Sequence, residues 1–231
     1  MIFPTLDYEK KYWEQGRKAI VGIDEAGRGP LAGPVVAGAV AVFPEIIEEI
    51  VKDPVFKLVR DSKTLSFRQR EQVYRLVTTS FPFGVGWSSV ETIDRINILQ
   101  AAFLAMKKAV FDLKRKLKAD IDLLLIDGQQ PIPNISMRQE NIANGDKFVF
   151  SIAAASIVAK VTRDQIMMEL HEKFPQYGFA RHKGYGTKLH FEMIAKHGPC
   201  EVHRKSFKLL RNPNAKAQMS NQAQNPKSKK F

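Results

Sequence analysis

The sequence predicts an α/β fold: a mixed β-sheet flanked by helices, with a helical C-terminal extension. Three observations predict it. Short apolar runs rich in β-branched residues are bounded by Gly and Pro, and longer segments with apolar residues at helical spacing alternate with them. One run, Leu123-Leu124-Leu125-Ile126, is apolar throughout, the signature of a central strand covered on both faces.

Ala19–Asp24 reads as the first buried strand, followed by a Gly/Pro-rich turn from Glu25 to Pro34. Val35–Phe43 is the second strand, stopped by Pro44. Ser66-x-x-Gln69 is a capping box that starts a helix over Phe67–Val77. A third strand spans Phe83–Val90. Ile98, Ala102, Ala105, Ala109 and Leu113 then recur at helical spacing, which carries a long helix to about Lys118. Ile121–Ile126 is the central strand. A final long helix places Ile152, Ser156, Ala159, Arg163, Ile166 and Leu170 on one face. The segment Pro44–Leu58 reads as an acidic loop, with Glu45, Glu48 and Glu49 solvated. These elements divide the chain into a lead-in over residues 1–17, an α/β core over 18–170, a helical C-terminal subdomain over 171–211 and a polar tail over 212–231.

The composition belongs to one globular domain with an appendage: 231 residues, 44% hydrophobic and 26% charged. The single cysteine, Cys200, allows no intrachain disulfide and suits a reducing compartment. Asp7 and Glu9 stand where a signal peptide would be apolar, and the longest apolar runs fall far short of the roughly 18–20 residues that span a bilayer. A cytoplasmic monomer without membrane contact is the expectation. The formal net charge is +12, of which the tail carries four through Lys216, Lys227, Lys229 and Lys230. The rest lies on the folded part and suits a polyanionic partner, because neutralising phosphates releases counterions.

Four carboxylates do not behave like surface charges. Asp24 and Glu25 end the first strand, Asp127 ends the most apolar strand, and Asp146 follows Asn144-Gly145 ahead of the final helix. Carboxyl ends of buried strands are where open α/β sheets place their ligand sites. Neighbouring strands would bring these acids to one edge, where their mutual repulsion calls for a cation. Hard carboxylate oxygens suit Mg²⁺ or Mn²⁺ rather than zinc. Two such ions about 3.5–4 Å apart would serve in-line displacement at phosphorus, one activating water and the other stabilising the departing oxygen. The five histidines, all between His171 and His203 with Cys200 among them, read as solvated or phosphate-facing side chains rather than a zinc site. The turn Gly27-Arg28-Gly29-Pro30 with Gly33-Pro34 matches neither G-x-G-x-x-G nor the Gly-x4-Gly-Lys-Ser/Thr loop, so nucleotide cofactor binding is not indicated. It offers close backbone approach, with Arg28 as a charged reader.

The ordered motifs resemble the ribonuclease HII family over roughly residues 18 to 210. They are Gly22-Ile23-Asp24-Glu25-Ala26-Gly27-Arg28-Gly29-Pro30, Asp61-Ser62-Lys63, Ile93-Asp94-x-Ile96-Asn97 and Leu124-Leu125-Ile126-Asp127-Gly128. Gly145-Asp146, Ser151–Asp164, His182-Lys183-Gly184-Tyr185-Gly186-Thr187 and His203-Arg204-x-Ser206-Phe207 complete the set. Arg28 and the short lead-in argue against the related type 3 enzymes. The resemblance implies a ribonuclease H-like catalytic core and an endonuclease that cuts the RNA strand of RNA–DNA hybrids and DNA with embedded ribonucleotides. It implies metal ligands at Asp24, Glu25, Asp127 and Asp146. It implies 2′-hydroxyl sensing by Gly27, Arg28 and Gly29, sugar packing by Tyr185, and backbone contacts near Lys63, Asn97, Lys183 and Arg204. The 2′-hydroxyl is the atom that separates RNA from DNA. Two other classes fit less well: a basic nucleic-acid-binding protein whose acids cap turns, and an enzyme of small phosphorylated metabolites.

Overall fold

The computed structural model describes residues 4–59 and 65–209. Chain order is α1 (Asp7–Trp13), β1 (Ile20–Ala26), β2 (Val35–Val42), α2 (Pro44–Ile50), α3 (Phe67–Ser80), β3 (Phe83–Ser88) and α4 (Val90–Lys116). Then follow β4 (Leu123–Asp127), β5 (Gln139–Ile142), α5 (Phe150–Lys173), α6 (Phe179–His182) and α7 (Lys188–His197). The strands form one mixed sheet in the order β3-β2-β1-β4-β5. β1, β2 and β3 run as an antiparallel meander, whereas β4 lies parallel beside β1, and β5 parallel beside β4.

Alternation along the strands divides the core into two layers. Val21, Ile23, Leu124 and Ile126 pack with Ala101, Ala105, Met106 and Ala109 of α4. On the other face Ile20, Leu123 and Leu125 pack with Ile152 of α5, and Val40 and Val42 with Ala153, Ile157 and Val158. Helix α5 crosses β1 so closely that a Cβ on Gly22 would lie 2.0 Å from the Ser151 carbonyl carbon. Only glycine fits there.

The expected capping box is present: Gln69 N–H donates to Ser66 Oγ at 3.3 Å and Ser66 N–H to Gln69 Oε1 at 3.0 Å. Other elements differ from expectation. The segment read as an acidic loop opens with α2, started by Pro44 and anchored by buried Ile47, although Glu45, Glu48 and Glu49 are solvated as expected. Helix α4 begins at Val90, well ahead of Ile98. It is broken at Asn97 (φ 66), so the predicted helix is its second half. β5 is too polar to show periodicity, and Ile142 is its one buried residue. Helix α5 runs through the expected 170/171 boundary.

β3 is an outer strand, and α4 covers its free backbone. Lys116 Nζ donates to Phe83 O at 3.1 Å, Val85 N–H donates to Asp112 Oδ2 at 3.0 Å, and Lys108 Nζ donates to Trp87 O at 2.9 Å. Four helical residues rise about 6 Å and two strand residues about 6.8 Å, so the three pairs stay in step.

The C-terminal part is stitched to the β1–β2 turn. Leu31 N–H donates to Gly184 O at 2.8 Å, Gly33 N–H to Val202 O at 2.9 Å, and Arg204 N–H to Leu31 O at 2.8 Å. Among the described residues no helix is long and apolar enough to cross a membrane.

Candidate active site at the carboxyl ends of the strands

The parallel register sets Ile23 opposite Ile126, so the next residues, Asp24 and Asp127, lie side by side where β1 and β4 end. Asp24 is 5% exposed and accepts a hydrogen bond from Glu25 N–H at 2.7 Å. Burial first, then the charges of Glu25 and Asp127, push its carboxyl well above the usual carboxylate range, against a hydrogen bond from Ser156 of α5. Burial also raises Glu25; Arg28 opposes the rise, with Nη1 3.2 Å from Glu25 Oε1. Asp127 Oδ1 accepts from Gly145 N–H at 2.7 Å, which brings the turn carrying buried Asp146 to the end of β4. That turn is entered through Asn144 in the left-handed region (φ 56).

Glu25, Arg28, Asp127 and Gly128 line a cleft of about 360 Å³, floored by Phe103 and Met106 of α4. Among the described residues no three His, Cys, Asp or Glu side chains are gathered into an ion-holding set, and Glu25 is paired with Arg28 instead. The donor chemistry nevertheless fits a hard divalent cation. Asp24, Glu25 and Asp127 act on one another electrostatically, all offer carboxylate oxygen, and a bound cation would relieve the strain on buried Asp24.

The glycine turn beside these acids is held by two buried arginines. Gly27 has φ +100, and a Cβ there would lie 2.1 Å from Arg163 Nε. Arg163 donates from Nε to Pro34 O, from Nη1 to Lys183 O and from Nη2 to Ala32 O at 3.0–3.1 Å. Arg204 donates to the carbonyls of Gly27, Arg28, Gly33 and Pro34 at 2.6–3.2 Å. Both side chains are fully buried, and this fork of carbonyls offsets the cost of a desolvated cation. Tyr185 lies beside the turn. It is 46% exposed, and its Cε1 is the nearest neighbour that a Cβ on Gly29 would meet, at 3.8 Å.

The remaining expected contacts fare differently. Arg204 is fully buried, and its guanidinium is taken up by the turn carbonyls. Asn97 is exposed, and its Oδ1 caps the second half of α4 by accepting from Leu99 and Gln100 N–H. Lys183 Nζ donates to Ala180 O at 2.7 Å. Lys63 lies outside the described residues. The histidines are not solvated as a group, since His182, His190 and His203 are buried together. Arg163 carried a visible signal in the sequence, as an arginine among Ile152, Ala159, Ile166 and Leu170 on one face of a long helix.

Residues 21–210 match the family model described as ribonuclease HII. A ribonuclease HII of Endomicrobium trichonymphae is 46% identical over 208 residues, covering 90% of this chain and 93% of that one. Another, of Wolbachia pipientis wMel, is 48% identical, covering 90% and 96%. Among solved structures, the PCNA:RNase HII complex from Archaeoglobus fulgidus contains a chain that superimposes with a TM-score of 0.64 at 28% identity, covering 86% of this chain and 99% of that one.

Proposed function

The chain belongs to the ribonuclease HII family, and from that premise we propose how it works. It is an endonuclease acting on RNA–DNA hybrids, and it incises on the 5′ side of ribonucleotides embedded in duplex DNA, leaving a 3′-hydroxyl and a 5′-phosphate. The observation that carries the reading is the alignment of Asp24 with Asp127 across parallel strands, beside a glycine turn whose backbone is locked in place.

Family members depend on divalent metal, and Asp24, Asp127, Glu25 and Asp146 are the residues that would hold Mg²⁺ or Mn²⁺ here. Bound there, the ions supply activation of water and neutralisation of charge at the scissile phosphate. The chain's own work is positioning and electrostatics, which dominate phosphoryl transfer and require no side-chain nucleophile. Ser156 and the Glu25 amide orient Asp24, and the Gly145 amide orients Asp127. The Gly27-Arg28-Gly29 turn offers its backbone to the 2′-hydroxyl, with the half-exposed Arg28 guanidinium beside it. Tyr185, beside Gly29, packs its ring on the adjacent sugar.

The test uses three labelled duplexes: an RNA–DNA hybrid, a DNA duplex with one ribonucleotide, and an all-DNA duplex, each with Mg²⁺, Mn²⁺ or chelator. Cleavage 5′ of the ribonucleotide that needs metal and spares all-DNA is the expected result. Binding of all three without cleavage in either metal would make the protein a basic nucleic-acid-binding module instead.

A further inference from the structure

We propose that His190 and His203 are positioning residues for the sugar-facing surface, because their buried side-chain hydrogen bond couples the backbone of Tyr185 to the segment that braces the glycine turn. The inference rests on the reading of Tyr185 and the turn given above.

Both imidazoles are fully buried, and His190 Nε2 lies 3.1 Å from His203 Nε2. Two ring nitrogens can share a hydrogen bond only if one carries the proton. The surroundings decide which. His190 Nδ1 lies 3.0 Å from Tyr185 O, a pure acceptor, so Nδ1 carries the proton and Nε2 accepts. His203 must therefore donate from Nε2, and its Nδ1 is left to accept. It does so from Cys200 N–H at 3.0 Å, with Cys200 Sγ at 3.2 Å. The Cys200 carbonyl, 3.3 Å from the same nitrogen, is not used in this tautomer. Every hydrogen bond runs in one direction: Cys200 N–H to His203, His203 to His190, His190 to the Tyr185 carbonyl.

Burial lowers the pKa of both rings, His190 to about 4, which keeps them in the neutral state that this relay needs. Aromatic contacts hold the rings still. His190 stacks on His182 with centroids 4.4 Å apart, and Tyr177 meets His203 edge-on at 4.8 Å.

The two ends of the relay are the two halves of the proposed sensor. At one end, Tyr185 O is fixed by His190 and by Thr187 N–H at 2.8 Å, which sets where the exposed ring leaves the backbone. At the other, His203 forms a β-bridge with Ala32, and the next residue, Arg204, holds the carbonyls of Gly27 and Arg28. Neither histidine reaches solvent, so each acts through Tyr185 or Arg204.

The experiment uses the full chain labelled with 3-fluorotyrosine, whose five tyrosines give five fluorine resonances, Tyr185 being assigned with Y185F. An Asn amide at position 190 stands near Nδ1 and keeps the donation to Tyr185 O; a Gln amide stands near Nε2 and loses it. H190Q is expected to move the Tyr185 resonance while Tyr8, Tyr12 and Tyr74 stay unmoved, Tyr177 lying against His203, and to lower kcat/KM on a duplex with one ribonucleotide about 10- to 100-fold. H190N keeps the donation to Tyr185 O but cannot accept from His203 Nε2, so it is expected to return the resonance and only part of the activity; full recovery would mean that the link to His203 does not matter and would overturn the inference. An unmoved Tyr185 resonance in H190Q would overturn the inference, and so would movement of all five resonances in both variants, which marks a core role only. The two failures separate. If Y185A leaves ribonucleotide selection unchanged, the reading of the surface has failed; if Y185A impairs it and H190Q does not, the positioning inference has failed.

Discussion

Asp24 and Asp127 end neighbouring parallel strands one register step beyond the Ile23–Ile126 pair, and each is oriented by a backbone N–H. With Glu25 the set brings three carboxyl groups together, and Arg28 is paired with Glu25. Asp24→Asn removes one buried charge while keeping the shape. Cleavage is expected to fall below detection, with hybrid binding retained. In chelator, urea unfolding is expected to show unchanged or higher stability, because a repulsive and desolvated anion has gone. Near-parental turnover would take Asp24 out of the machinery.

Arg204 is buried under the turn and donates to its carbonyls. Arg204→Lys leaves one ammonium where a planar fork had served four carbonyls. A loss of about 3 kcal/mol is expected in urea denaturation. Arg28→Ala, at the exposed tip of the same turn, is expected to spare stability and blunt selection of the 2′-hydroxyl. The reverse pattern would mean that the two arginines have been assigned the wrong way round.

Glu9 makes stability depend on pH. It is wholly buried, its Oε1 accepts from Ser151 N–H at 2.8 Å, and burial lifts its pKa from 4.5 to about 6. A raised carboxyl pKa favours the fold while protonated, so this contribution is present below about pH 4.5 and is lost as pH rises through 6. Glu9→Gln is expected to stabilise the protein by about 2 kcal/mol at pH 8, with the gain fading below pH 5. A constant difference across that range would rule out titration of Glu9.

The ladder from α4 guards the outer edge of the sheet. Replacing Lys108, Asp112 and Lys116 by Ala frees the outward groups of Phe83, Val85 and Trp87, which are then open to pairing with a second strand. Sedimentation is expected to reveal stronger concentration-dependent association in the triple variant than in the parent. Identical sedimentation of the two would mean the ladder has no such effect.

The four main strands and the carboxylates at their ends were legible because apolar runs and strand-end acids are local signals. β5 was not legible, since Gln139-Glu140-Asn141 at a sheet edge needs no apolar face. Helix α2 was masked by its glutamates, with Ile47 as its one buried anchor. The burial of Arg204 was not legible because nothing local marks an arginine that will be buried under carbonyls. The histidine relay was invisible for a related reason: His182, His190 and His203 come together only when α6, α7 and the segment after Cys200 fold against Phe179.

The most direct measurement is thermal unfolding of the parent and of the Asp24→Asn/Asp127→Asn double variant during titration with Mn²⁺. Ions held by these carboxylates stabilise the parent progressively, by about 2.7 kcal/mol once Mn²⁺ reaches a hundred times its Kd. The double variant is expected to show no such rise. An equal rise in both proteins would place the metal elsewhere and contradict the assignment of the strand-end acids.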